Sequence, residues 1–157
     1  MTIILPDSPA QSLPPGPAGV CTAAKVRRLS RQVSQIYDDA LSRHGLTIGQ
    51  FGLLASLSRR RGLAIGALAE RLAADASTIS RLVRPLADEG LLRIEIDPKD
   101  KRGRLVWLTD AGHQRRAAAH AGWQAAQAVV EQRLGAGRLA ALRFLLDDTY
   151  ERLEAAE

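Results

Sequence analysis

The sequence predicts a mainly α-helical fold carrying one small β-hairpin, and three stretches predict it. In the first, Ile65, Leu68, Ala69 and Leu72 fall at the spacing of one helix face. In the second, Ile79, Leu82, Val83 and Leu86 repeat that spacing after the short link Ala74-Asp75-Ala76. In the third, Leu92-Arg-Ile-Glu-Ile96 and Arg104-Leu-Val-Trp-Leu-Thr109 alternate in the manner of strands around a turn-rich segment, Asp97 to Gly103. Two short helices, a tight link and a hairpin are the parts of a winged helix-turn-helix. Long helices on either side complete the expected class: mainly α with a small β-hairpin wing, a winged helix-turn-helix plus terminal dimerisation helices.

Taken in order, residues 1–19 hold five of the seven prolines and no apolar periodicity, and they read as a flexible arm. A long amphipathic helix is expected from Val20 to about Arg43, with Val26, Leu29, Val33, Ile36, Tyr37, Ala40 and Leu41 on one stripe. Residues 20–46 thus form an N-terminal dimerisation segment, ended by the glycine signal His44-Gly45. Thr47-Ile-Gly-Gln50 is a capping box, in which hydroxyl and amide satisfy each other's backbone donors. The helix it opens is expected to run through Phe51, Leu54 and Leu57 to Arg59-Arg-Arg61, whose cations suit a helix C-terminus better than a phosphate.

Residues 47–109 make up the winged region. Pro85 sits inside its second helix, lacks an N–H and crowds the carbonyl of Arg81. The helix is expected to continue, bent, because Leu86 extends the stripe and Gly90 supplies an end. Beyond the hairpin, Thr109-Asp110 caps a helix over about 110–134, and Leu134-Gly-Ala-Gly137 breaks it. Leu139, Leu142, Phe144, Leu145, Leu146, Tyr150 and Leu153 mark a last helix. So many apolar positions overfill one side of a small monomer, so residues 110–157 read as C-terminal dimerisation helices within a single overall domain.

The second short helix carries Ser77, Thr78, Ser80, Arg81 and Arg84 away from its apolar stripe. Hydroxyls and guanidiniums with almost no acid suit a helix lying in the major groove of double-stranded DNA. The hairpin turn adds Lys99, Lys101, Arg102 and Arg104. Arginine suits a wing beside that helix, because a narrow minor groove concentrates negative potential. The charge distribution agrees. Residues 59–104 hold eleven Lys/Arg against seven Asp/Glu, whereas residues 105–157 hold six against seven. Arg81 is the expected bidentate reader of guanine, and Arg84 the expected phosphate contact.

Other classes find little support. No Gly-rich phosphate loop, His-Glu-x-x-His or Ser-x-x-Lys motif is present, so no catalytic residue and no cofactor are expected. His113 and His120 stand seven residues apart, but no second cysteine or carboxylate pair joins them, and no metal is expected. No apolar run reaches the length of a membrane span, the N-terminus has no secretory pattern, and one cysteine precludes an internal disulfide. The expectation is a cytoplasmic protein without a membrane partner.

Several motifs resemble the MarR family of winged-helix transcriptional regulators. They are Asp75-x-x-x-Ile-Ser-Arg81, Asp-Glu-Gly-Leu-Leu at 88–92, and the run from Asp100-Lys-Arg-Gly through Leu-Thr-Asp-Ala-Gly112. Upstream, Tyr37-Asp-Asp-Ala-Leu41 and Gly45-Leu-Thr-Ile-Gly-Gln-Phe51 extend the likeness over roughly residues 20 to 155. The resemblance implies a homodimer formed by the first and last helices. It implies a repressor on a pseudo-palindromic operator, released by a small-molecule effector that is aromatic or anionic. It further implies that Asp75 and Asp100 orient wing arginines. Arg27, Arg28, Arg31, Tyr37 and Phe51 are the expected sources of charge and ring contacts in the effector crevice.

Some family members sense oxidants with a cysteine in the first helix, which makes Cys21 a redox candidate. Against that, Tyr37 lies sixteen residues on, at a different side of the helix, and a buried structural thiol is the alternative. Trp107 is expected to face away from the core, either stacked on the partner strand or projecting beside DNA. Trp123 reads as core or interface. Two rival functions remain open: an effector-independent architectural DNA-binding protein, and a dimeric helical interaction module.

Overall fold

The computed structural model describes residues 21–155, so the proline-rich arm expected over 1–19 lies outside them. The chain divides into two compact units, residues 1–33 and 34–157. The described part of the first is Cys21 and the start of helix α1, Thr22–Leu41; Cys21 and the helical Arg27, Arg28 and Arg31 are exposed. An exposed Cys21 replaces the buried thiol that the sequence favoured.

In the second unit, α1 ends in a short 3₁₀ turn, Ser42–His44, and Gly45 takes the left-handed conformation at φ 66°. Helix α2, Ile48–Ser56, opens on the expected box, with Thr47 accepting from the Gln50 N–H while the Gln50 side chain accepts from the Thr47 N–H. It closes earlier than the sequence suggests. Leu57 turns into extended backbone to bury its side chain, which leaves Arg59-Arg-Arg61 beyond the helix in a loop. Then follow strand β1, Leu63–Ala64, and helices α3, Ile65–Arg71, and α4, Ala76–Asp88. Strands β2, Leu92–Ile96, and β3, Arg104–Leu108, precede α5, Asp110–Leu134, and α6, Ala136–Glu154.

The three strands form one antiparallel sheet in the order β1-β3-β2. Leu92 faces Leu108 and Ile96 faces Arg104 across the hairpin, while Leu63 faces Val106 on the other side. The alternation buries Val106 and Leu108, but on β2 only Leu92, so Ile94 and Ile96 project into solvent with the free end of the hairpin. Leu41, Leu53, Leu54, Leu68, Ile79, Leu86 and Val106 are completely buried and bring α2, α3, α4 and the sheet onto one core. At roughly 25 cal/mol per Å² of apolar surface, each such leucine or isoleucine contributes on the order of 2 kcal/mol.

Helix α5 begins where the sequence places it, with Thr109 capping the Gly112 N–H. Gly135, at φ 73°, alone makes the break before α6, and Gly137 lies inside that helix. Along α6, Phe144 is 67% exposed and Leu153 72%, with Leu145, Leu146 and Tyr150 also open. Among the described residues this apolar face has no cover.

Candidate nucleic-acid interface

The helix-turn-helix is held by a left-handed residue and a carboxylate cap. After α3, Ala73 adopts φ 47°, and the Ala74 N–H returns to the Ala69 carbonyl at 2.9 Å. A left-handed non-glycine residue costs about 1 kcal/mol, offset here because the bend lets Ile79, Val83 and Leu86 reach the core. Asp75 is the N-cap of α4: its carboxylate accepts the Thr78 N–H at 2.8 Å, the Thr78 hydroxyl at 2.7 Å and the Ser77 hydroxyl. The hydrogen bond from Ser77, then those from Thr78, hold this carboxyl well below the usual carboxylate range. A depressed folded-state pKa means that the cap is fully present above the ordinary carboxylate range and lost only as pH falls through the lower value.

Ser77, Thr78, Ser80, Arg81 and Arg84 all lie exposed on the side of α4 opposite its buried stripe. The Ser80 hydroxyl donates back to the Ala76 carbonyl at 2.8 Å. The helix passes through Pro85 to Asp88, and Gly90, at φ 73°, turns the chain into β2. Every expected base or phosphate contact on this helix therefore precedes the proline.

The turn of the hairpin is built from its own aspartates. Asp97 accepts from the Lys99 N–H at 2.8 Å and Asp100 from the Arg102 N–H at 2.9 Å. The Arg104 guanidinium folds back on the carbonyls of Lys101 and Gly103. Lys99, Lys101 and Arg102 stay exposed, and none of them forms an ion pair among the described residues. The resemblance implied that Asp75 and Asp100 orient wing arginines. Neither carboxylate binds a guanidinium; Asp75 starts the helix, and Asp100 shapes the wing turn through a backbone amide.

Strand β1 fixes the wing to the helix-turn-helix. Two residues pair with the middle of β3, and the next residue begins α3. Trp107 settles its open alternatives by stacking within the sheet. The Arg93 guanidinium lies 5.3 Å from its ring centre, and a Cβ at Gly62 would come within 2.6 Å of the ring. Glycine at 62 is thus what lets the loop lie flat on the indole.

On another side of the unit, Phe51, Ala55, Arg116, Ala117, His120 and Trp123 line a cleft of about 570 Å³. The Trp123 ring stacks at 6.3 Å on Phe51 and 5.6 Å on His120. Of the residues expected at an effector crevice, Phe51 alone lines this cleft. Tyr37 donates its hydroxyl to Gln127 instead, and burial raises its pKa. Arg27, Arg28 and Arg31 are exposed on the first unit, and the cation at the cleft is Arg116. His113 lines a different recess beside Arg59, apart from His120.

A family model described as MarR family matches residues 44–103. The MosR transcriptional regulator of Mycobacterium tuberculosis is 30% identical, with a TM-score of 0.73 over 86% of this chain and 96% of that one. The chain belongs to the MarR family.

A second MosR structure, in complex with DNA, aligns at 29% identity with a TM-score of 0.76 over 87% of this chain and 98% of that one. The PcaV regulator of Streptomyces coelicolor, in complex with its natural ligand, aligns at 27% identity and 0.73 over 88% and 96%. The transcriptional regulator HosA of Escherichia coli O111:H- is 35% identical over 74 residues, which is 47% of this chain and 55% of HosA. This MarR-family chain thus matches between 39% and 55% of the length of its curated relatives.

Sequence reasoning missed Arg116. Its guanidinium donates to the Leu54 carbonyl at 3.0 Å and the Leu57 carbonyl at 3.3 Å, closing α2 in the role expected of Arg59-Arg-Arg61. Arg59 instead pairs with Asp110 at 2.7 Å, both well exposed. Nothing local to Arg116 announces a partner 62 residues upstream. Arg116→Met keeps the stem and removes the donors. It is expected to destabilise the fold by about 1.5 kcal/mol, the scale of a lost charge-assisted hydrogen bond, and so to lower Tm by about 3–6 °C in a thermal melt.

Proposed function

We propose that this protein is a cytoplasmic, homodimeric transcriptional repressor that binds a pseudo-palindromic operator in double-stranded DNA and is released by a small-molecule effector. The observation that carries the reading is the exposed polar face of α4, set beside a basic wing that β1 ties to the same unit. Helix α4 enters the major groove, where Arg81 reads guanine and Arg84 meets phosphate, with Ser77, Thr78 and Ser80 beside them. Lys99, Lys101, Arg102 and Arg104 serve the neighbouring minor groove and backbone. The complex of MosR with DNA supports this assignment. The uncovered apolar face of α6 supports a second copy as partner, with residues 20–46 and 110–157 as the dimerisation segments and 47–109 as the DNA-binding region. No described helix is long and apolar enough to cross a membrane.

The effector is an aromatic or anionic compound, and the cleft of Phe51, His120, Trp123 and Arg116 offers rings and one cation for it. PcaV's complex with its natural ligand supports a liganded regulator. The test is enrichment of bound duplexes from a random pool, followed by a salt titration. The reading requires a selected sequence and an affinity that falls steeply with salt, as phosphate contact dictates. Binding without selection would favour an architectural protein, and no binding an interaction module. Arg102→Ala is expected to lower affinity for all duplexes, most where A/T-rich flanks narrow the minor groove, and to flatten the salt slope by about one. Titrations of the variant against the wild type check this.

A further inference from the structure

Three hydroxyls stand on the exposed face of α4, and the structure fixes where each sends its single proton. An ionised carboxylate only accepts hydrogen bonds, so a hydroxyl bound to it must donate. Thr78 Oγ1 lies 2.7 Å from Asp75 Oδ2, and Ser77 Oγ is bound to Asp75 Oδ1. Ser80 Oγ donates to the Ala76 carbonyl, which likewise only accepts. All three protons are taken by acceptors of the protein itself. What the hydroxyls offer outward is lone pairs, and the side-chain donors on this face are the guanidiniums of Arg81 and Arg84.

That polarity decides what the hydroxyls meet. A lone pair facing a phosphate oxygen is repelled, so these groups are not backbone clamps. In the major groove, each base pair presents one exocyclic amine, adenine N6 or cytosine N4, and one carbonyl on the opposite base. An outward acceptor favours the orientation of the pair that brings the amine toward it. Resting on the DNA-binding reading above, we propose that Asp75 is a positioning residue for specificity. By taking the protons of Ser77 and Thr78 it makes the start of α4 a reader of base amines, and Thr78 selects the orientation of one base pair in each half-site. The strongly lowered pKa of Asp75 accords with this, since the carboxylate keeps its acceptor character wherever the protein is folded.

The test exchanges donor and acceptor without removing the cap. In Asp75→Asn, asparagine caps helices about as well as aspartate. Its Oδ1 still accepts the Thr78 N–H, held now at 2.8 Å by the carboxylate. The Nδ2 group then takes the place of Oδ2, donates to Thr78 Oγ1 and turns the hydroxyl proton outward. Wild type, Asp75→Asn and Thr78→Val are each given the same random duplex pool, with melting temperatures recorded alongside. Wild type is expected to prefer one orientation at one pair of each half-site by about fivefold, the scale of a single base-edge hydrogen bond. Thr78→Val should lose that preference, and Asp75→Asn should reverse it to the flipped pair. The proposal is overturned if Thr78→Val keeps every preference of the wild type. It is equally overturned if Asp75→Asn melts like the wild type and selects the same orientation. Should Asp75→Asn not fold, the Thr78→Val comparison decides by itself. A wild type that enriches no sequence overturns the DNA-reading function itself, and is distinguished from the other failures by the absence of any consensus.

Discussion

Gly112→Ala is expected to unfold the junction between α5 and the winged region, lowering stability by about 3 kcal/mol. Gly112 is buried in the first turn of α5, and a Cβ built on it lies 2.1 Å from the Leu91 carbonyl oxygen and 2.8 Å from the Leu108 side chain. The Leu108 methyl can shift; the backbone carbonyl cannot shift easily, because Thr109 holds it through both its N–H, at 3.2 Å, and its hydroxyl, at 2.9 Å. Alanine recovers about 1 kcal/mol of helix propensity over glycine. Overpacking against a fixed backbone costs about 1–3 kcal/mol, and more where the neighbour is this rigid. The steric cost therefore wins, and a fall in Tm of about 6–12 °C is expected by calorimetry. Gly66, where a Cβ meets nothing within 4 Å, serves as the control, and Gly66→Ala should hold or raise Tm.

Arg81→Ala is expected to weaken binding to the selected operator by about 1–3 kcal/mol, a loss of roughly fivefold to 150-fold. Binding to unrelated duplexes should hardly change. Arg81 is exposed on α4, one residue past Ser80, and forms no ion pair among the described residues, so its fork is available for the two acceptors of guanine. Loss by the same factor on cognate and random duplexes would make Arg81 a backbone contact. Fluorescence anisotropy on the two duplexes at one salt concentration distinguishes these outcomes.

Much of the fold was legible because its signals are local. Thr47 with Gln50, Thr109 with Gly112, and the glycines at 45 and 90 act over a few residues, and each marks the boundary where the structure has one. The strand alternation placed Val106 and Leu108 inside, and Pro85 did not stop α4 because the apolar stripe continues to Leu86. What escaped depends on contacts distant in the chain. Strand β1 has two residues, too few for any periodicity, and exists because β3 offers it an edge. Arg116 closes a helix some 60 residues away, and Gly62 is needed only because Trp107 lies over it. The hydrogen bonds of Asp75 and Asp100, by contrast, are local: each carboxylate holds a backbone amide a few residues along the chain. At the cleft, Phe51 of α2 is joined by Arg116 and Trp123 of α5, more than sixty residues further along the chain.

The central claim is that two copies present α4 and the wing to successive turns of one DNA face. Chemical footprinting of the wild type on its selected duplex tests this most directly. The account predicts two protected major-groove segments centred about 10 base pairs apart, related by the symmetry of the site, with minor-groove protection flanking each. A single protected segment, or protection confined to the backbone without any major-groove base, would contradict it.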